Sequence, residues 1–185
     1  YVKSCKTVQY LFPKAHAVAY VLSAYRIAYC KVHHPKEFYA AYFSIRTPKF
    51  DYALVSKGEA FMKRFIKDVY AQGNKASVND KDTVTYMEVA IEMLERGFTF
   101  ENIDLYKSDP HRFKVTEKGL LPPIGSLSGI GATAAEGISD ARANGPFISR
   151  EDLRTRSKIS NSAVEALAEL GVLNGMPATD QIELF

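Results

Sequence analysis

Leu127-Ser128-Gly129-Ile130-Gly131 runs straight into Ala132-Thr133-Ala134-Ala135-Glu136-Gly137-Ile138, a small-residue stretch that continues to Arg142. The stretch from Ala132 onward has the composition of a helix. Two glycines one residue apart allow a tight connection into it, because glycine reaches backbone conformations that a Cβ penalises. They also leave backbone N–H groups uncovered. The amides of Ser128, Gly129, Ile130 and Gly131, with Thr133 in the first turn, therefore gather at a helix N-terminus. Unpaired donors and the helix dipole favour an anion there, and a DNA phosphate is an anion of the right size and charge. Contacts of this kind position DNA without reading its sequence.

Downstream, Arg142, Gly145, Phe147, Ser149, Asp152 and Leu153 follow at R-x-x-G-x-F-x-S-x-x-D-L spacing. Together, hairpin and tail resemble the helix-hairpin-helix DNA-binding modules. Such modules often pair, and Lys158-Ile159-Ser160-Asn161-Ser162, ahead of a helix over 163–170, falls where a second hairpin is expected. It lacks the glycines, so any phosphate contact there would come from the side chains of Lys158 and Ser160. The alternative is that Ser160 only caps the following helix. Residues 120–175 carry 5 Lys/Arg against 6 Asp/Glu, which suits recognition by amides better than by a basic patch.

Upstream the pattern is helical. Residues 14–32 hold no Gly or Pro and predict a helix of about five turns, with Pro13 in its first turn. Pro35 ends it and opens another through Phe43, and Thr47-Pro48 breaks again. Ala60, Phe61, Phe65, Ile66 and Val69 form the apolar stripe of a helix over 57–70. Gly73-Asn74 reads as a loop. Val84, Met87, Ile91 and Leu94 mark a helix over 83–95, with Asp82 as its N-cap and Gly97 as its stop. Alternation at Ile103 and Leu105, then at Phe113 and Val115, predicts short strands, and Pro122-Pro123 a linker. The expected architecture is mainly α with a small β element. A boundary near Lys118 separates residues 1–118 from a duplex-binding region, 119–175, and residues 176–185 form a flexible tail.

Charge is uneven. Residues 1–70 carry 12 Lys/Arg against 4 Asp/Glu, a front half suited to a polyanion. Two cysteines without CxxC spacing suggest a reducing cytoplasm rather than a disulfide framework. No apolar run reaches membrane-spanning length, and a first residue other than Met reads as a piece of a longer protein. His33-His34 lacks the neighbours a metal site needs, so a packing or helix-end role is expected.

Phe12-Pro13-Lys14-Ala15-His16-Ala17-Val18-Ala19-Tyr20 is the most distinctive front segment. His16 and Tyr20 share a helix face, and Lys14 lies in the first turn, where phosphate is favoured. A nucleoside triphosphate could lie against these three residues; the alternative is a capped helix whose Tyr20, Tyr25 and Tyr29 are core. The segment, with Tyr25–His34 and Phe38-Tyr39-Ala40-Ala41-Tyr42-Phe43, resembles the fingers of bacterial replicative DNA polymerase III alpha subunits, PolC type. Ile103–Ser108 and Leu121-Pro122-Pro123 are similar to that family's approach to its duplex-binding domain. The resemblance implies a helical fingers subdomain contacting incoming dNTP through Lys14, His16 and Tyr20, followed by the helix-hairpin-helix domain on primer-template duplex. It also implies Mg2+ held by paired carboxylates of a palm domain before Tyr1, so that this stretch alone would not polymerise.

The chain ends Gln181-Ile182-Glu183-Leu184-Phe185. A polar anchor followed by a terminal apolar pair suits a peptide docking in a groove. It resembles the Q-x-x-L-F motif with which bacterial polymerases bind the sliding clamp, implying clamp contacts from Gln181, Ile182, Leu184 and Phe185. The competing reading is a non-enzymatic helix-hairpin-helix DNA-binding protein of repair or DNA uptake. It leaves Phe12–Tyr20 and the terminal pentapeptide unexplained.

Overall fold

The computed structural model describes residues 13–180; Phe12 and the terminal pentapeptide 181–185, both singled out above, lie outside it. The chain divides into two compact units between Phe38 and Tyr39. In the first, Pro13 (ψ 134°) sits just outside α1, Lys14–His33. Proline thus serves as the N-cap rather than inside the first turn, and its carbonyl accepts from Ala17 N–H at 3.1 Å. No residue of α1 is buried. The next helix, α2 (Pro35–Ile45), begins in this unit, and the division falls within it.

In the second unit, α2 is followed by α3 (Tyr52–Val55), α4 (Glu59–Gln72) and α5 (Val78–Glu95). Phe43, Phe50, Phe100 and Phe113 form the centre of the core, Phe50 meeting Phe113 at 5.0 Å and Phe43 at 5.2 Å between ring centroids. Tyr39, Met62, Met87 and Met93 are fully buried around them. The stripe expected on α4 is partly displaced, because Met62 and Val69 are its buried residues while Phe61, Phe65 and Ile66 are half-buried.

Two expectations are corrected. The helix α5 starts at Val78, not near Thr83. Ser77 is its N-cap and accepts from Asp80 N–H at 3.0 Å, the hydroxyl of a serine being a better first-turn acceptor here than Asp82 further along. Asp82 lies inside the helix and pairs with Lys49 at 3.5 Å. The alternation at Ile103 and Leu105 is not a strand. Both are buried, but the Asp104 carboxylate accepts from Tyr106 and Lys107 N–H, which curls the backbone into a turn.

The strands are β1 (Lys114–Val115) and β2 (Leu120–Leu121), antiparallel, with Lys114 opposite Leu121. The expected boundary at Lys118 falls at the tip of this hairpin, where Thr116 N–H meets the Gly119 carbonyl at 2.9 Å. Pro122 and Pro123 are buried and pass directly into a 3-10 turn, Ile124–Ser126. Three helices follow: α6 (Ala132–Ala143), α7 (Arg150–Ser157) and α8 (Asn161–Glu169). Gly137 lets α6 and α7 touch, since a Cβ there would run into the Ser157 carbonyl oxygen. Among the described residues no helix is long and apolar enough to cross a membrane.

Candidate nucleic-acid interface

The first hairpin is built as the glycines require. Gly129 takes φ +93°, and Ile130 N–H closes the turn onto the Leu127 carbonyl at 3.0 Å. Ile130 points inward and is buried, which leaves Ser128, Gly129, Gly131 and Thr133 on the surface. Gly131 is the N-cap of α6, and no side chain caps the helix. The N–H groups of Ala132, Thr133 and Ala134, which have no carbonyl four residues back within the helix, find no protein acceptor among the described residues. Gly131, Ala132 and Thr133 around them are exposed.

The second hairpin, at the place expected for it, repeats this plan twenty-nine residues later without the glycines. Ile159 is buried like Ile130, at 6% against 4% exposure, and Leu167 like Ile138, both at 0%. Lys158 adopts the left-handed conformation, φ 56° and ψ 33°, in the place of Gly129. Ser160 stands in the place of Gly131. Its hydroxyl accepts from Ala163 N–H at 3.2 Å and lies 2.9 Å from the Ser162 hydroxyl, so this helix start is capped from within. The Lys158 side chain is exposed.

Two arginines, Arg142 of the expected motif tail and Arg156 just beyond it, are structural. Arg142 donates to the carbonyls of Leu105, at 3.0 Å, and Ser108, at 2.7 Å, fastening α6 to the preceding turn. Arg156, which the sequence reading did not single out, donates to the carbonyls of Ala141, Gly145 and Pro146, pairs with Asp152 at 3.1 Å and covers the Phe147 ring. Carbonyl-binding arginines leave no periodic signal, so the R-x-x-G-x-F spacing pointed to Arg142 and nothing pointed to Arg156.

The tail is not free at its start. Arg150 N–H donates to the Pro177 carbonyl and Glu151 N–H to that of Ala178, while Asp180 accepts from the Ser149 hydroxyl. The expected flexible segment is thus clipped to the start of α7 as far as Asp180, because that helix also needs acceptors for its first amides. Gln181, Ile182, Leu184 and Phe185 lie outside the described residues.

On α1, Lys14, His16 and Tyr20 are exposed, and the His16 and Tyr20 rings meet edge-on at 4.5 Å. Tyr20 (67% exposed), Tyr25 and Tyr29 are on the surface of this chain. Tyr29 packs on His33 at 4.3 Å, as a helix-end role for that histidine implies. Among the described residues no group of three or more His, Cys, Asp or Glu side chains is arranged to hold a metal ion.

Comparison with known proteins agrees with this geometry. The helix-hairpin-helix motif family matches residues 97–181, a stretch that takes in both hairpins. Over all 185 residues the chain is 48% identical to the DNA polymerase III PolC-type of Caldanaerobacter subterraneus, 46% to that of Clostridium perfringens and 44% to that of Bacillus subtilis. It spans 13% of the length of each of these relatives. Matched from its first residue to its last, and carrying the double hairpin, the chain belongs to the PolC-type DNA polymerase III family.

Proposed function

We propose that the chain is part of a replicative DNA-directed DNA polymerase and grips duplex DNA without sequence preference through the first hairpin. The observation that carries this reading is the set of uncapped amides of residues 132–134 behind Gly129 and Gly131, within the matched helix-hairpin-helix region. A backbone phosphate satisfies those donors and the helix dipole together. Such contacts fix register on the duplex and carry no sequence information, as a replicative enzyme requires. Thr133→Glu tests it. The carboxylate suits the first turn of α6 and leaves the helix folded, but occupies the anion position. Duplex affinity of the 185-residue chain is expected to fall at least about tenfold; unchanged affinity contradicts the reading.

The same reading gives Lys14, His16 and Tyr20 to the incoming dNTP and makes 1–118 the later part of the fingers. The exposed face of α1 supports it, because Lys14 stands in the first turn, where the helix dipole also favours a triphosphate. His16→Ala should weaken dNTP retention beside a primed template, and equal retention would count against the assignment. Lys158 and Ser160 are assigned to a second phosphate, held by the ammonium and by the proton the capping hydroxyl can still donate. Gln181, Ile182, Leu184 and Phe185 are assigned to the sliding clamp. Removing 181–185 should abolish clamp binding and leave duplex binding intact, whereas unchanged clamp affinity would refute that assignment.

The same reading assigns the Mg2+ pair that polymerases use to carboxylates in the part of the relatives this chain does not span. Primer extension by the 185-residue chain alone is therefore expected to be absent. Work on chromosomal DNA places the protein in the cytoplasm.

A further inference from the structure

The hairpin's surroundings carry more than amides. The loop Asp109–Arg112 is tied to the segment just ahead of the hairpin by two backbone bonds. Ile124 N–H meets the Asp109 carbonyl at 2.9 Å, and Gly125 N–H meets that of Pro110 at 3.0 Å. The fit is close, since a Cβ on Gly125 would stand 2.8 Å from the Pro110 oxygen. The loop is stiffened from inside, its Asp109 carboxylate accepting from His111 and Arg112 N–H at 2.9 Å each. A third tie crosses to the helix behind the hairpin, where His111 Nε2 lies 2.9 Å from Glu136 Oε1 on α6. His111 also lines one cleft of about 340 Å³ with Ile130, Gly131 and Ala132.

Pro110 and His111 of this loop thus lie beside the start of α6, and Arg112 follows them in the chain. Arg112 is exposed, and among the described residues its guanidinium has no hydrogen-bond or ion-pair partner. Glu136 is the carboxylate nearest the anion position on α6, and His111 engages it. The contact ties the Glu136 side chain to the loop, and the next residue along the loop, Arg112, is a cation. Residues 120–175, which form the hairpins themselves, lack any such excess of positive charge.

We propose that Asp109–Arg112 is the cationic half of the duplex-binding surface. Arg112 contacts the phosphate next to the one held by the hairpin amides, and His111 acts as a positioning residue that keeps Glu136 away from it. This rests on the hairpin reading above. A guanidinium suits the role because its fork grips phosphate oxygens in pairs, and Arg112, on a fixed loop, loses little freedom on doing so.

The test is duplex affinity of the 185-residue chain across a salt series, with thermal unfolding recorded for every variant. Arg112→Ala should weaken binding about tenfold at low salt and reduce the slope of log affinity against log salt by about one. Arg112→Lys should recover the slope. His111→Ala should also weaken binding, and the double variant His111→Ala/Glu136→Gln should restore it, which a merely structural histidine would not allow. If Thr133→Glu abolishes binding but Arg112→Ala leaves the slope unchanged, this proposal is overturned and the hairpin reading stands. If Arg112→Ala lowers the slope while Thr133→Glu does nothing, the loop contacts DNA and the hairpin reading fails. If neither changes binding, both are wrong.

Discussion

The two hairpins share a frame and differ in what they leave exposed. Each buries one isoleucine, Ile130 or Ile159, places a left-handed residue before it and starts a helix after it. In the first, Gly129 and Gly131 contribute no side chains, and the amides of α6 face outward unpaired. In the second, Ser160 turns its hydroxyl onto Ala163 N–H, and Lys158 holds the left-handed position against its preference. One frame thus serves two purposes. An uncapped helix start gives up some stability and keeps its donors for a ligand, while a capped one keeps the stability and offers an ammonium in place of amides.

The largest expected effect tests the shared frame. Ile130→Ala and Ile159→Ala should each destabilise the second unit by about 2–4 kcal/mol in denaturant unfolding, because each empties a buried site. A large loss at one and none at the other would mean that the repeat is only superficial. Next come the left-handed positions, where the two hairpins should respond with opposite sign. Gly129→Ala is expected to cost about 1–2 kcal/mol, while Lys158→Gly should be neutral or stabilising by up to about 1 kcal/mol. If the Lys158 ammonium contacts phosphate, the glycine variant will also lower the salt slope of duplex binding by about one.

The next comparison exchanges the caps. Ser160→Ala should cost about 1 kcal/mol. Gly131→Ser should stabilise α6 by some tenths of a kcal/mol and at the same time weaken duplex binding, as the new hydroxyl takes the Ala134 amide. Nothing lies within 4 Å of a Cβ at Gly131, so the added side chain has room.

The smallest effect concerns the loop that only the first hairpin possesses. Partial burial pushes the Asp109 carboxyl up, but the N–H groups of His111 and Arg112, with the nearby Lys114 and His111, outweigh it and hold the group below its ordinary range. A carboxylate with a depressed folded-state pKa adds stability above its unfolded value. That stability is lost as pH falls through the folded one. The loop's contribution should therefore be intact at neutral pH and vanish only below about pH 4, and Asp109→Asn should remove that dependence from the acid unfolding curve.

Much of this could be read in the residues. The small-residue run after Gly131, the prolines at 13 and 35 and the R-x-x-G-x-F spacing each had one local physical meaning, and helix starts and the first hairpin follow from them. Interactions between distant residues could not be read in this way. Ile103 and Leu105 alternate like a strand, but Asp104 between them bends the chain, and which N–H groups its carboxylate accepts from depends on the fold around it. Asp82 looked like a cap until Ser77, five residues earlier, was seen to fill that role. The second hairpin could be placed at Lys158–Ser162, but not the left-handed conformation of Lys158, which a lysine adopts only where the structure around it imposes it. For the site, the amide donors were visible as glycines, whereas the clipping of the Asp109–Arg112 loop beside them depends on backbone bonds from residues 124 and 125.

The most direct test of the account is one substitution made at equivalent places in the two hairpins. Thr133→Glu and Ser162→Glu each put a carboxylate in the first turn behind a buried isoleucine, and both should leave thermal stability unchanged or slightly raised. Duplex DNA affinity, measured by fluorescence anisotropy at fixed salt, is expected to fall at least about tenfold for Thr133→Glu and by no more than about threefold for Ser162→Glu. Equal losses at both sites, or a loss only at Ser162, would contradict the claim that the uncapped start of α6 is where the chain holds DNA.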